Sequence, residues 1–208
     1  DRCFVVDEKG GIVDPSTLTA LIATRELAKV PGSTIIHNLI TSRAVPEIVI
    51  ENGGTAVRTR VGHSFIKATM AETGAIFGGE HSGHFYFRDF WKADSGMLAA
   101  MHALAALGET SASTTLSKLL KPYLRYVMSG EINTKVSEAK AVIARIKETA
   151  IKQGSEIDEL DGLTVSGEGW WFNVRSSNTE PLLRLNVEAK DVENMEIVRD
   201  SVLSMMVG

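Results

Sequence analysis

A single cysteine, Cys3, stands among 208 residues, so no disulfide can form within the chain. That usage fits a reducing compartment, and a cytoplasmic location is the expectation. Long apolar runs are also missing. Phe4 to Val6 and Ala99 to Leu107 fall well short of the ~20 residues that span a bilayer. No basic, then apolar, then small-residue leader is visible. There is no basic excess either: 22 Lys and Arg face 26 Asp and Glu, a net charge of −4. A general nucleic-acid binder would be positive, so neither nucleic acid nor membrane is expected as a partner. What is present, 44% hydrophobic residues with 23% charged, can bury a core without metal or disulfide staples.

Charge divides the chain. Residues 1–121 hold 12 basic and 12 acidic residues, and residues 122–208 hold 10 and 14, so the whole net of −4 lies in the second part. Lys121-Pro122-Tyr123 falls between them, and proline is a natural break after a helix. The first part alternates. Strands are expected at Cys3–Val6, Thr34–Ile36, Thr55–Thr59 and Ala75–Phe77. Helices are expected from Asp14-Pro15, over Val45–Glu51, Ser64–Glu72 and Ser95–Leu107. Such alternation predicts a layered α/β domain. The second part reads strand, helix, strands, helix. Strand-like runs lie at Tyr126–Val136, Leu163–Val165, Trp170–Val174 and Leu182–Ala189, with helices over Glu138–Lys152 and after Asp191. That order predicts a small α+β domain. Phe4 to Val6 read as mid-strand with no lead-in, which suggests that Asp1 is a cut through a longer protein.

Three segments could carry chemistry. Gly78-Gly79-Glu80-His81-Ser82-Gly83-His84 leaves a strand at a glycine pair. In extended chain Glu80, Ser82 and His84 would share a face, and a carboxylate, a hydroxyl and an imidazole suit sugar hydroxyls. The segment reads equally as a polar connection between two strands. His81-x-x-His84 with His63 also offers imidazoles for zinc, without a convincing spacing. Arg175-Ser176-Ser177-Asn178-Thr179-Glu180-Pro181 combines a guanidinium, hydroxyls and free N–H groups suited to a phosphate. The same residues make an ordinary hairpin turn. In Arg58-Thr59-Arg60-Val61-Gly62-His63 the two arginines share a strand face, and His63 stands where a helix begins. A solvated edge with a capping histidine is the plain alternative. Trp170-Trp171-Phe172 alternates across a strand, which favours packing over sugar stacking.

Taken in order, Asp1-Arg2, Gly62-His63, Gly79-Glu80-His81-Ser82-Gly83-His84 and Arg175 to Pro181 resemble the C-terminal half of the α-D-phosphohexomutases, the phosphomannomutase/phosphoglucomutase family. The resemblance covers essentially the whole chain. It implies residues 1–13 as the tail of a metal-binding domain two, 14–121 as the α/β sugar-binding domain three, and 122–208 as the α+β phosphate-binding domain four. It implies Asp1 as a Mg²⁺ ligand, Arg2 and His63 as catalytic residues, and Glu80 and Ser82 as the grip on sugar hydroxyls. Arg175, Ser177, Asn178 and Thr179 would hold the phosphate that is not transferred.

The implied activity interconverts hexose 6-phosphate and hexose 1-phosphate through a phosphoserine and a bisphosphate intermediate. Mg²⁺ is the cofactor, hexose 1,6-bisphosphate the activator, and a mannose or glucose phosphate the substrate. Domains one and two, with the nucleophile, would lie outside these residues, so the 208 residues alone should bind sugar and phosphate and catalyse nothing. Asn178 stands where phosphoglucosamine mutases usually have glycine. Such a mutase, or a non-catalytic phosphosugar-binding module, is the alternative. The family's domain-three lysine has no clear counterpart in Asn38–Arg43, with Arg43 the nearest replacement.

Overall fold

The computed structural model describes residues 1–177 and 180–207. The chain forms two compact units, Asp1–Arg125 and Tyr126–Gly208.

The first unit is a layered α/β domain. Asp14 caps α1 (Pro15–Lys29): its carboxylate accepts from the Ser16 amide at 2.7 Å, and Pro15 occupies the first helical position, where no N–H is needed. Then follow β1 (Thr34–Asn38), α2 (Ala44–Glu51), β2 (Thr55–Thr59), α3 (His63–Thr73) and β3 (Phe77–Gly79). The strands β2, β1 and β3 run parallel, as helical crossovers require. The chain then reverses into β4 (Phe85–Phe87) and β5 (Ala93–Asp94), which complete a sheet of order β2-β1-β3-β4-β5. Ser95 caps α4 (Gly96–Gly108), and α5 (Leu116–Leu120) follows.

Glycine sets the spacing of these layers. A Cβ on Gly79 would lie 2.4 Å from the Thr19 side chain of α1, and one on Gly78 would lie 3.2 Å from Ile66 of α3. The two helices thus cover opposite faces of β3. Under α3, Ile36, Ile66, Met70, Ala75 and Tyr86 form one buried cluster.

The second unit has β6 (Val127–Met128), β7 (Ile132–Lys135), α6 (Ala139–Lys152), β8 (Glu156–Asp158), β9 (Leu163–Gly167), β10 (Trp170–Ser176), β11 (Leu182–Ala189) and α7 (Val192–Val207). Its antiparallel sheet has the order β6-β11-β10-β9-β8, with β7 also on β11. Phe172, Val174, Leu183, Leu185 and Val187 pack with Val142 and Ile146 of α6 and with Met195 and Val202 of α7. Trp170 stacks on Phe172 with centroids 6.0 Å apart, while Trp171 points the other way and donates its Nε1–H to Glu188 at 2.7 Å. Both faces of that aromatic run are therefore packed.

Two expected strands are corrected. Cys3–Val6 forms no ladder: Val6 makes a single antiparallel bridge to Ile12, and Phe4 and Val6 are exposed. An apolar run forms a ladder only where a neighbouring strand is on hand, and none pairs with this one among the described residues. Tyr126–Val136 is two strands, because Gly130 turns the chain at φ +70° between them.

Candidate functional site

The first unit gathers its polar residues where β3 turns into β4. Glu80 to His84 do not run extended. The Glu80 amide donates to the His84 carbonyl at 2.9 Å and the Gly83 amide to the Glu80 carbonyl at 3.0 Å, with Gly83 at φ +84°. The expected shared face of Glu80, Ser82 and His84 is thus produced by a tight turn, not by alternation. The turn is also the polar connection between β3 and β4 that the plainer reading of the segment predicts.

Glu80 is 2% exposed. A buried carboxylate needs donors on both oxygens. Tyr86 supplies its O–H to Oε1 at 2.5 Å, and Asn38 supplies its amide to Oε2 at 3.2 Å. Asn38 is oriented in turn by the Thr41 hydroxyl, which donates to its Oδ1 at 2.7 Å. Tyr86 is fully buried beside Gly78, its partner across the β3–β4 pair. Burial and the Glu80 carboxylate push the Tyr86 phenol far above its ordinary range, so it remains a donor.

Two imidazoles complete the cluster. His84 places Nδ1 3.1 Å from the Ser82 hydroxyl and takes a hydrogen bond from Arg2 Nε to its Nε2 at 3.3 Å. Arg2 can only donate, so Nε2 is the acceptor, and the neutral ring carries its proton on Nδ1, toward Ser82. The Ser82 hydroxyl then keeps its own hydrogen for a ligand. Burial pushes the His84 imidazole down; Glu80 and Asp94 pull against that, and Arg2 and His63 add to it. His63 opens α3, where Gly62 at φ +135° lets strand give way to helix. Its Nδ1 lies 3.0 Å from the Tyr86 hydroxyl and its Nε2 3.9 Å from Asp94 Oδ1.

Residues 1–4 lie against this turn. The Cys3 amide donates to the Gly83 carbonyl at 3.0 Å, and a Cβ on Gly96 would lie 2.2 Å from the Arg2 carbonyl oxygen. The structure therefore brings Asp1, Arg2, His63, Glu80 and Ser82 into one neighbourhood. His84, Tyr86, Asp94 and Asn38 belong to it as well. The loop pattern points to His84 beside Glu80 and Ser82, but nothing in the sequence singles out Tyr86, Asp94 or Asn38 for the site. For Tyr86 the sequence shows only one hydroxyl between two phenyl rings, in the short run Phe85-Tyr86-Phe87.

Two other expectations change. His81 does not join His63 and His84; its Nδ1 lies 3.2 Å from the Ser16 hydroxyl at the cap of α1. The three imidazoles that could have served zinc thus do not converge. Among the described residues, the set able to converge on a cation is Asp1, His84 and Asp94, with ligand atoms within 4.8 Å of one another. Mg²⁺ prefers oxygen ligands in an octahedron. Asp1 and Asp94 offer carboxylates, while His84 Nε2 is occupied by Arg2, so the set fits Mg²⁺ only in part. Arg60 lies beyond β2 and sits over the Phe65 ring at 4.9 Å, so it does not share a strand face with Arg58.

In the second unit, Arg175 lies near the end of β10, directly opposite Arg184 of β11. Two like charges facing across a ladder repel. Glu131 separates them, accepting from Arg175 Nη2 at 2.7 Å and from Arg184 Nη1 at 3.2 Å. Burial pushes the Arg175 guanidinium down and Glu131 pulls it back. The Arg175 side chain is 13% exposed. Gly162, at φ +72°, lets the preceding turn pass close to it: a Cβ there would lie 2.6 Å from Arg175 Cβ. The Ser177 amide donates to the Leu182 carbonyl at 2.9 Å, closing the hairpin. Asn178 and Thr179 lie outside the described residues.

Comparison with known proteins gives a consistent result. Residues 14–126 match the model of "Phosphoglucomutase/phosphomannomutase, alpha/beta/alpha domain III", and residues 131–205 match that of "Phosphoglucomutase/phosphomannomutase, C-terminal domain". A phosphomannomutase of Methanocaldococcus jannaschii is 43% identical over 94% of this chain and 43% of its own length. One from Vibrio cholerae is 40% identical over 97% of this chain and 43% of its own length. The crystal structure of a phosphoglucomutase/phosphomannomutase family protein from Burkholderia thailandensis superposes with a TM-score of 0.85 at 30% identity, covering 98% of this chain and 43% of that one. The chain thus spans under half the length of the relatives it matches.

Proposed function

Since the chain belongs to the phosphoglucomutase/phosphomannomutase family, we propose that it supplies the sugar-gripping and phosphate-holding parts of a cytoplasmic hexose-phosphate mutase, an isomerase of carbohydrate metabolism. The observation that carries this is the Glu80 cluster. A buried carboxylate with both oxygens held by donors sits beside a serine whose hydroxyl hydrogen is free and a histidine at a helix start. Polar groups fixed in this way pay little reorganisation on meeting a polyhydroxylated ring.

In this reading Glu80 and Ser82 hold ring hydroxyls, and His63 and Arg2 face the reacting end. Arg175, Ser177, Asn178 and Thr179 hold the phosphate that stays in place. Mg²⁺, held in part by Asp1, would neutralise charge on the phosphoryl group. The phosphoserine nucleophile and the other metal ligands are expected from the portion of the relatives that these residues do not span, so the 208 residues alone are expected to be inactive. Release of the bisphosphate intermediate would leave the serine without its phosphate, so hexose 1,6-bisphosphate is expected to act as an activator by restoring it.

The test is a mutase assay on the complete gene product. It uses mannose and glucose phosphates, with and without Mg²⁺ and hexose 1,6-bisphosphate. Interconversion of either sugar phosphate is expected. Replacing Arg175 with Ala is expected to weaken substrate binding by about 1.5–3 kcal/mol, the range for a lost charged hydrogen bond. No interconversion under any of these conditions would overturn the proposal.

A further inference from the structure

We propose that Tyr86 is a positioning residue that locks His63 in its Nδ1–H tautomer, so that His63 offers a ligand the bare Nε2 lone pair. The argument is one of donor counting. A tyrosine hydroxyl has one hydrogen and can also accept. That hydrogen is committed to Glu80 Oε1 at 2.5 Å. The other Glu80 oxygen already accepts from Asn38 Nδ2, and the Asn38 amide is oriented by Thr41, which donates to its Oδ1. Both Glu80 oxygens are thus acceptors. The Tyr86 oxygen, 3.0 Å from His63 Nδ1, can then only accept, and His63 Nδ1 must carry the hydrogen.

The consequence falls on the other ring nitrogen. His63 Nε2 is on a side chain that is 51% exposed, and it lies 3.9 Å from Asp94 Oδ1. With the ring neutral, Nε2 and the Asp94 carboxylate oxygen stand as two acceptors side by side. Such a pair takes a hydroxyl group as donor and disfavours a phosphate oxygen. Tyr86 therefore ties the residue proposed to grip the sugar to the residue at the helix start, through one buried hydroxyl. Its ring is held by β4 and by Ile66 and Met70 of α3, so the relay is built into the core and not into a loop. The inference about hydroxyl recognition rests on the mutase reading; the tautomer does not.

The experiment is nitrogen-15 NMR of the complete gene product labelled at histidine, with His63 signals identified by their loss in His63→Gln. A protonated Nδ1 and a bare Nε2 are expected at His63. In Tyr86→Phe, a substitution that keeps the ring, the preference should shift toward Nε2–H. In the mutase assay the same variant should raise KM about tenfold, the scale of one lost charge-assisted hydrogen bond, with kcat changed far less. Finding Nε2–H at His63 in the unaltered protein overturns the proposal, whatever the variant does. So does a Tyr86→Phe spectrum with His63 unmoved. If the unaltered protein shows no mutase activity, the proposed function fails while the tautomer measurement still decides this point.

Discussion

Replacing Glu131 with Gln tests how the second unit holds two like charges side by side. Arg175 and Arg184 sit opposite each other on β10 and β11, and the Glu131 carboxylate bonds to both. A glutamine of the same shape keeps one acceptor and removes the charge. One charged hydrogen bond contributes about 1.5–3 kcal/mol, and breaking a buried pair costs about 3–5 kcal/mol. Here the side chains of Arg175, Glu131 and Arg184 are 13%, 28% and 31% exposed, so solvent screens part of the effect. We expect a loss of about 2 kcal/mol.

With a urea slope of roughly 1–2 kcal/mol per molar, that loss lowers the unfolding midpoint by about 1–2 M. Inorganic phosphate should then return part of the stability, because an oxyanion bound beside the two guanidinium groups supplies the negative charge that the carboxamide lacks. At ten times its dissociation constant the return is about 1.4 kcal/mol. A loss below about 0.5 kcal/mol, with the phosphate response of the unaltered protein, would refute the reasoning.

Burial holds the His37 imidazole down at about 4 in the folded chain, against an ordinary 6.5. The unfolded chain therefore binds the proton first, and stability is complete above pH 6.5 and falls as pH drops toward 4. The full loss is about 3 kcal/mol, read from urea midpoints across that range and absent in His37→Phe; a His37 ring that titrates near 6.5 by NMR would contradict it. Gly79→Ala should cost about 2 kcal/mol or more, because its Cβ would lie 2.4 Å from a buried Thr19; an unchanged melting temperature would show that α1 gives way freely. Asp14→Ala should cost about 1 kcal/mol through the lost bond to the Ser16 amide; an unchanged urea midpoint would mean that the cap is replaced by water.

Much of the fold is legible in the sequence because its signals are local. Asp14-Pro15 announces a helix start by chemistry alone. Leu182–Ala189 is long enough for its pattern to stand out, and the strand has those bounds. Val142, Ile146 and Ala150 mark the buried side of α6. Strands β4 and β5, three and two residues long, carry no periodicity to detect. They exist because β3 offers an edge and the Glu80 turn sends the chain back along it. The site divides the same way. Glu80, Ser82, His63 and Arg175 stand out as polar groups beside glycines or at element ends. Asn38 and Tyr86 come to Glu80 only through the pairing of β3 with β1 and β4, and Asp94 comes to His84 and His63 only because β5 pairs with β4.

The strand order of the second unit has a consequence for its synthesis. Both β6 and β7 pair with β11, which is translated some 50–60 residues later. At ribosomal rates of roughly 5–20 residues per second, β6 and β7 wait several seconds without their partner. Glu131 waits with them, since Arg175 and Arg184 follow it on the chain by 44 and 53 residues. The nascent chain must therefore carry an unpaired Ile132–Lys135 segment until the last strand arrives. Its Asn and Lys residues, alternating with Ile and Thr, make that segment a poor template for pairing with a neighbouring nascent chain.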